Sequence, residues 1–137
     1  MSEIGFNAAA NITRMSELRH TGNGQVLTVG LAVNPRRFDG SARKWVDGTP
    51  TFIDASVWGP QAEHAAASLS VGDRVVILGR LVTRTWTPAD GPNAGKEQRR
   101  LEVVAEEIGP SLRWATAAVT KTAQRDDAAP DTEDQPV

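Results

Sequence analysis

Apolar and polar side chains alternate with a period of two along several stretches of the chain, which is the pattern of β-strands that bury one face. In residues 26–33 the odd positions are large and apolar and the even positions are mostly smaller. In residues 52–58 the odd positions are again apolar. The pattern predicts strands over residues 4–13, 26–33, 52–58, 75–87 and 98–108, and a further short strand over residues 112–119. The first strand is weakly marked, because its three successive alanines could equally begin a helix.

Glycine and proline mark the connections between these strands. Pro60 follows Gly59 and suits the first position of a helix, where its missing N–H costs nothing. We therefore predict a short helix that begins at Pro60 and ends at Leu69. The cluster of turn-forming residues at 21–24 is typical of a hairpin turn. Residues 34–50 are predicted to form a long polar loop, and residues 88–95 are predicted to form the tip of a second loop.

The order of elements, about five strands with one helix between the third and the fourth, defines an all-β fold class. It is the order expected of an OB-fold, a small Greek-key barrel whose outer face binds oligonucleotides or oligosaccharides. The fold alone does not choose between those ligands.

The charge of the chain is unevenly distributed. The formal net charge is −2. Residues 1–120 carry 13 basic and 12 acidic side chains, whereas residues 121–137 carry 2 basic and 5 acidic ones. The last segment is also rich in Ala, Asp and Pro and has little to bury. We predict one OB-fold domain over residues 1–120 and a disordered acidic tail over residues 121–137.

The composition excludes several classes of function. There is no cysteine, so disulfides, zinc knuckles and thiol catalysis are ruled out. No run approaches the roughly 18 apolar residues of a membrane span, and the N-terminus lacks the regions of a signal peptide. His20 and His64 are the only histidines, and neither has a second ligand or a nucleophile nearby in sequence. We expect a cytoplasmic protein that is not an enzyme and uses no cofactor or metal.

Aromatic residues lie on predicted strand faces opposite the core and close to arginine. In residues 79–87 one parity carries Arg80, Val82, Arg84 and Trp86, so two guanidinium groups and an indole share a face. In residues 52–58 both aromatic residues have the parity opposite to the apolar positions. Cations beside flat rings are what a polyanion with stacked bases would bind. The alternative is a solvated face on which single rings cover the edge of the core.

These residues carry a resemblance to a known family. The chain resembles the bacterial single-stranded DNA-binding proteins (SSB), and most closely their actinobacterial type, over about residues 4–120. The matching segments are residues 11–13, 17–19, 22–33, 36–39, 52–59, 70–86, 107–113 and 115–116. The resemblance implies an OB-fold homotetramer, associated with the nucleoid, that wraps single-stranded DNA during replication, recombination and repair without enzymatic activity.

The resemblance also implies which residues bind DNA. The four base-stacking positions of the family correspond to Phe38, Phe52, Trp58 and Trp86 in this chain. The matching basic positions are Arg19 and Arg84, together with Arg37 and Lys44 in the long loop. In the actinobacterial type, the segment that matches residues 111–120 adds a strand that clasps a neighbouring subunit.

Three positions depart from the family pattern. Asp54 stands where relatives often carry a basic residue, and a carboxylate there is expected to repel phosphate. Ala8-Ala9-Ala10 replaces a more β-branched first strand. The acidic tail ends in Val137 instead of the Phe that recruits replication and repair proteins, which makes recruitment through this tail doubtful. This indicates a specialised paralogue or a phage or plasmid version.

Two other functions remain open on the residues alone. The same rings could bind protein in an accessory OB-fold module of replication restart or recombination. They could also bind RNA or an oligosaccharide, because base or sugar rings stack on the same aromatic faces and only contacts to the 2′-hydroxyl distinguish RNA from DNA.

Overall fold

The computed structural model describes residues 2–34 and 36–122, with the side chains of Arg36 and Arg37 excepted. Most of the predicted disordered tail therefore lies outside the described residues. The elements are β1 Ile4–Met15, β2 Arg19–Thr21, β3 Gly24–Val33, β4 Arg36–Asp39, β5 Lys44–Asp47, β6 Thr51–Trp58, α1 Pro60–Ser68, β7 Arg74–Trp86 and β8 Gln98–Pro110. No helix in the described ranges is long and apolar enough to cross a membrane.

Five long strands close into a barrel. The sheet has the order β1-β7-β8-β6-β3-β2, and an additional pairing of β1 with β3 closes it. All of its pairs are antiparallel except β6 with β8. A closed barrel with one helix between its third and fourth long strands is the predicted OB-fold.

The core lies inside the barrel, where the alternating strands send their apolar side chains. The most completely buried aliphatic side chains are Ile12, Leu27, Leu31, Ile77, Val29, Val57, Val75 and Val103. Helix α1 packs on the barrel with Ala62 and Ala65, which join the same buried cluster together with Leu69, the residue that follows the helix. Pro60 occupies its first turn, as predicted, and the helix ends where the amide of Leu69 donates to the carbonyl oxygen of Ala65.

A β-bulge bends the long hairpin of β7 and β8. Leu78 pairs with Glu107 and Gly79 pairs with Ala105, so Glu106 has no partner in this ladder. A Cβ atom at position 79 would overlap the carbonyl oxygen of Val104. Only glycine therefore lets the two backbones approach at the bulge, and the extra residue adds the curvature that barrel closure needs.

Several predicted elements differ from the structure. Residues 34–50 were predicted as a loop, but they contain the β4–β5 hairpin, a separate two-stranded sheet. The prediction failed because these short strands bury no apolar face and so show no alternation. The strand β2 was also missed. The prediction of a strand over residues 112–119 is wrong within the single chain, where this segment pairs with no described strand. The pairing with a neighbouring subunit that the resemblance implies stays a prediction. The possible helix at Ala8–Ala10 is part of β1.

Candidate nucleic-acid interface

The predicted site residues Arg19, Trp58 and Arg84 line one open groove on the outer face of the barrel. The groove has a volume of about 350 Å³ and is lined by side chains from β2, β3, β6, β7 and β8. Its polar floor includes Thr28 and Ser56. Residues that are 65 positions apart in sequence, from Arg19 to Arg84, thus form one surface because the barrel brings their strands side by side.

Trp58 is held at the end of β6. Its indole Nε1 donates a hydrogen bond to the hydroxyl of Ser56 at 3.1 Å, and Ser56 is itself buried. Both side chains project from the non-core parity of the strand, as predicted for Phe52 and Trp58. The bond fixes the orientation of a half-buried ring that lines the groove, so little conformational entropy remains to be lost when a flat ligand stacks on it.

Arg84 is positioned by a carboxylate. Its Nε donates to Oε1 of Glu102 at 2.5 Å, and the carboxylate is almost fully buried whereas the arginine side chain is about half exposed. Glu102 stands opposite Val82 in the β7–β8 ladder, and Val82 is two residues along β7 from Arg84 on the same face. Because the bond uses Nε, the two terminal nitrogens of the guanidinium group still present their donors towards the groove.

Trp86 lies at the far end of β7 with a second arginine. The guanidinium carbon of Arg100 lies 5.2 Å from the centre of the indole ring, within cation–π range. Arg100 stands opposite Arg84 in the β7–β8 ladder, so the two arginines and Trp86 share one face of the sheet. Arg80 shares this parity but lies beside Glu106, at 3.9 Å, and is not part of the groove lining.

Asp54 is neutralised by two arginines. Its carboxylate accepts from Nη2 of Arg14 at 2.6 Å and lies 3.8 Å from Nη2 of Arg100. Arg14, Gly30 and Asp54 lie in one row across β1, β3 and β6. A Cβ atom at position 30 would lie 2.8 Å from Cγ of Arg14. Glycine at this position therefore provides the space through which the Arg14 side chain crosses β3 to reach Asp54. The carboxylate expected to repel phosphate is therefore held inside an ion-pair cluster.

Arg19 projects from the short strand β2. Its Nη2 donates to the hydroxyl of Thr28 at 3.0 Å, and the side chain stays exposed. No carboxylate within the described part of the chain forms an ion pair with it. Its charge is therefore available to an anionic ligand.

The remaining predicted residues lie outside this groove. Phe52 is 69 % exposed and lines an adjoining depression of about 270 Å³ together with Asp54 and Arg100, which also line the main groove. Phe38 and Lys44 lie on the β4–β5 hairpin, where Lys44 is exposed and stands opposite Asp39 in the strand ladder. The side chain of Arg37 is outside the described part of the structure.

Sequence reasoning missed two arginines and one aromatic ring. Arg14 and Arg100 hold Asp54, and Trp45 stands opposite Phe38 in the β4–β5 hairpin. Arg100 lies on the outward-facing parity of β8. This parity places it on the same face as Arg84 and Trp86 once the pairing of β8 with β7 is known. Arg14 and Trp45 gave no such signal, because their neighbours depend on strand pairings that the sequence does not reveal. In residues 2–34 and 36–122 no group of acidic or histidine side chains is placed to hold a metal ion.

Comparison with known proteins gives a consistent result. Residues 7–111 match the model of the "Single-strand binding protein family". A single-stranded DNA-binding protein of Paenarthrobacter nicotinovorans is 40 % identical over 121 residues, which are 88 % of this chain and 69 % of that protein. The corresponding protein of Mycolicibacterium smegmatis is 39 % identical over 87 % of this chain and 70 % of its own length.

Solved structures agree with the sequence matches. The crystal structure of a small single-stranded DNA-binding protein from Streptomyces coelicolor superimposes with a TM-score of 0.66 at 33 % identity, covering 82 % of this chain and 97 % of that one. The second single-stranded DNA-binding protein of Mycobacterium smegmatis gives a TM-score of 0.62 at 25 % identity, covering 88 % and 100 %. The likeness therefore extends over most of the chain.

Proposed function

The chain belongs to the single-strand binding protein family, and we propose from this that it binds single-stranded DNA without sequence preference. The relatives that bear this name cover most of the chain. Proteins of the family bind DNA and are not enzymes, which agrees with the prediction that the chain is not an enzyme. The observation that carries the proposal is the convergence of Arg19, Trp58 and Arg84 on one open groove.

Bases stack on aromatic rings in the proposed complex. Trp58 and Phe52 lie on β6, Trp86 lies at the end of β7, and Phe38 lies on the β4–β5 hairpin. Each stacked base contributes roughly 1–3 kcal/mol, and because every base has a flat face the interaction tolerates any sequence. The open shape of the groove suits an extended strand better than an enclosed small molecule.

Phosphates are contacted by the cations between the rings. Arg84 offers its terminal nitrogens after Glu102 has fixed its orientation, and Arg19 carries a charge that no described carboxylate offsets. Arg37 and Lys44 contribute from the hairpin. Neutralising phosphates releases counterions, so affinity falls with salt, with a slope of about −0.7 for each phosphate contact to a single strand.

Self-association as a homotetramer is part of the proposal. Val76 and Leu78 lie on the outward face of β7 with about half of their surface exposed. Val76 pairs with Ala9 of β1, so the aliphatic patch reaches the neighbouring strand at that residue, whereas Leu78 pairs with the polar Asn7. Covering such a patch and the adjoining barrel edge with a second copy removes apolar surface from water. A sedimentation mass equal to one chain would contradict this part.

The cellular setting follows from the proposed activity. A protein that coats single strands acts in replication, recombination and repair, in the cytoplasm and at the nucleoid. The interpretation of the chain as a specialised paralogue, or as a phage or plasmid version, stays a prediction.

A mobility-shift experiment tests the proposal. A labelled oligo-dT of about 35 nucleotides is incubated with the protein at low salt, and unlabelled single-stranded DNA, duplex DNA and RNA of matched length are added as competitors. We expect single-stranded DNA to compete far better than duplex. Absence of a shift would favour the accessory module that binds protein partners, and stronger competition by RNA would favour an RNA-binding OB domain.

A further inference from the structure

An aromatic pair stands on the β4–β5 hairpin, away from the barrel core. Phe38 and Trp45 face each other across the ladder, and their ring centres are 5.7 Å apart with an angle of 72° between the ring planes. Phe38 was assigned a stacking position by resemblance, but Trp45 has no assigned function. The pair therefore places an additional indole next to a predicted DNA-binding ring.

Core packing does not account for these two rings. Trp45 is 59 % exposed and Phe38 is 52 % exposed, and neither belongs to the buried cluster of the barrel. The strands β4 and β5 form a sheet of their own that is separate from the barrel sheet. An edge-to-face contact uses the edge of one ring and the face of the other, so it consumes less flat surface than a parallel stack would.

The surroundings of the pair suit a nucleotide. Arg43 and Lys44 precede Trp45 directly, and both are exposed. The hairpin also carries two carboxylates, Asp47 and Asp39, and that of Asp39 accepts hydrogen bonds from the amides of Ser41 and Ala42 at 2.9 and 3.3 Å. Its charge is thus partly satisfied within the turn, and two cations remain beside the rings for a phosphate.

We propose that Trp45 is a fifth base-stacking residue, and that Trp45 and Phe38 form a subsite for one nucleobase of a bound single strand. The base stacks on one ring while its edge meets the second ring, which stands nearly perpendicular to the first. Arg43 and Lys44 contact the adjoining phosphates. The subsite rests on the proposed function, because it has a ligand only if the protein binds single-stranded DNA.

A variant with one tryptophan tests the subsite directly. The chain contains four tryptophans, so the triple variant W58F/W86F/W114F retains Trp45 as the single indole and keeps an aromatic ring at every other position. We expect oligo-dT to quench the Trp45 fluorescence, with the same midpoint as a mobility shift of the same variant. A full shift without any change in Trp45 fluorescence would overturn the subsite and leave the proposed function standing. Absence of any shift with the unsubstituted protein would overturn both.

Matched alanine variants test the contribution to affinity. Trp45→Ala removes the proposed stacking ring, which is 59 % exposed. Trp114→Ala removes another exposed indole, 71 % exposed, that lies outside both the hairpin and the groove. We expect Trp45→Ala to weaken binding of oligo-dT by about 5- to 150-fold, the range found for one stacked base. Trp114→Ala should change it by less than about twofold. Equal effects of the two variants would contradict the proposal.

A double-mutant cycle separates one shared base from two independent ones. If Phe38 and Trp45 hold the same nucleobase, the double variant F38A/W45A should bind only slightly more weakly than the poorer single variant. If the losses in binding free energy simply add, the two rings hold different bases and the shared subsite is wrong. Near-ultraviolet circular dichroism of each variant shows whether the barrel tryptophans keep their environment.

Discussion

Replacing Asp54 by asparagine should strengthen DNA binding at low salt. The carboxylate lies in the interface with only 14 % of its side chain exposed and holds Arg14 and Arg100 at 2.6 and 3.8 Å. The amide has nearly the same shape but no charge, so it removes a negative charge from the DNA-binding face. It also releases two guanidinium groups for phosphates.

The size of the effect follows from counterion release. Each additional phosphate contact steepens the slope of log K against log salt by about 0.7 for a single strand. Between about 50 and 200 mM salt, one contact corresponds to about 2.6-fold in affinity and two contacts to about 7-fold. The ratio of the affinity of Asp54→Asn for oligo-dT to that of the unsubstituted protein should therefore be about 3- to 7-fold larger at 50 mM salt than at 200 mM salt. The two affinities should converge as salt rises.

Equilibrium titrations with oligo-dT across a salt series measure this slope. Glu63→Gln makes the same change in net charge on an exposed position of α1, outside the groove lining, and should leave the slope unchanged. The loss of an ion pair whose arginine is mostly exposed should cost at most about 1 kcal/mol of folding free energy, which urea denaturation checks. An unchanged slope, or weaker binding by Asp54→Asn, would show that Arg14 and Arg100 do not reach phosphates.

Three further predictions concern the hairpin formed by β7 and β8. Gly79→Ala should lower the free energy of unfolding by more than about 2 kcal/mol in urea denaturation, because its Cβ would overlap the carbonyl oxygen of Val104; full stability would refute the close approach at the bulge. Arg84→Ala should cost about 2–4 kcal/mol because it leaves the buried carboxylate of Glu102 without its partner, and adding Glu102→Gln should recover part of that loss; no recovery would argue against the charge as the cause. Trp86→Ala should reduce the fluorescence quenching by oligo-dT and weaken binding by roughly 1–3 kcal/mol, whereas unchanged binding would exclude stacking on this ring.

The barrel could be predicted because each long strand has a buried and an outer face. In residues 52–58 the same alternation that assigned Ala55 and Val57 to the core placed Phe52 and Trp58 on the opposite face, and the structure has both sets where the pattern put them. The helix could be predicted from Gly59 and Pro60, whose conformational preferences act locally.

Features that depend on strand pairing could not be predicted. The ion pair between Arg14 and Asp54 joins β1 to β6 across Gly30, and no local pattern announces which strands become neighbours. The β4–β5 hairpin buries no apolar face, so its strands resemble a polar loop in sequence. The apolar residues of the segment 112–119 suggested a strand, but Leu112 and Val119 are exposed and no described strand pairs with them.

Comparing a base-bearing strand with a base-free one tests the central claim most directly. An oligo-dT and an abasic oligonucleotide of equal length carry the same phosphate charge, so electrostatic contacts alone would bind them equally at low salt. If bases stack on the rings of the groove and the hairpin, oligo-dT should quench the tryptophan fluorescence strongly and bind at least about 100-fold more tightly than the abasic strand, since several stacked bases each contribute roughly 1–3 kcal/mol. Equal affinity for the two strands, or equal quenching by them, would contradict the account.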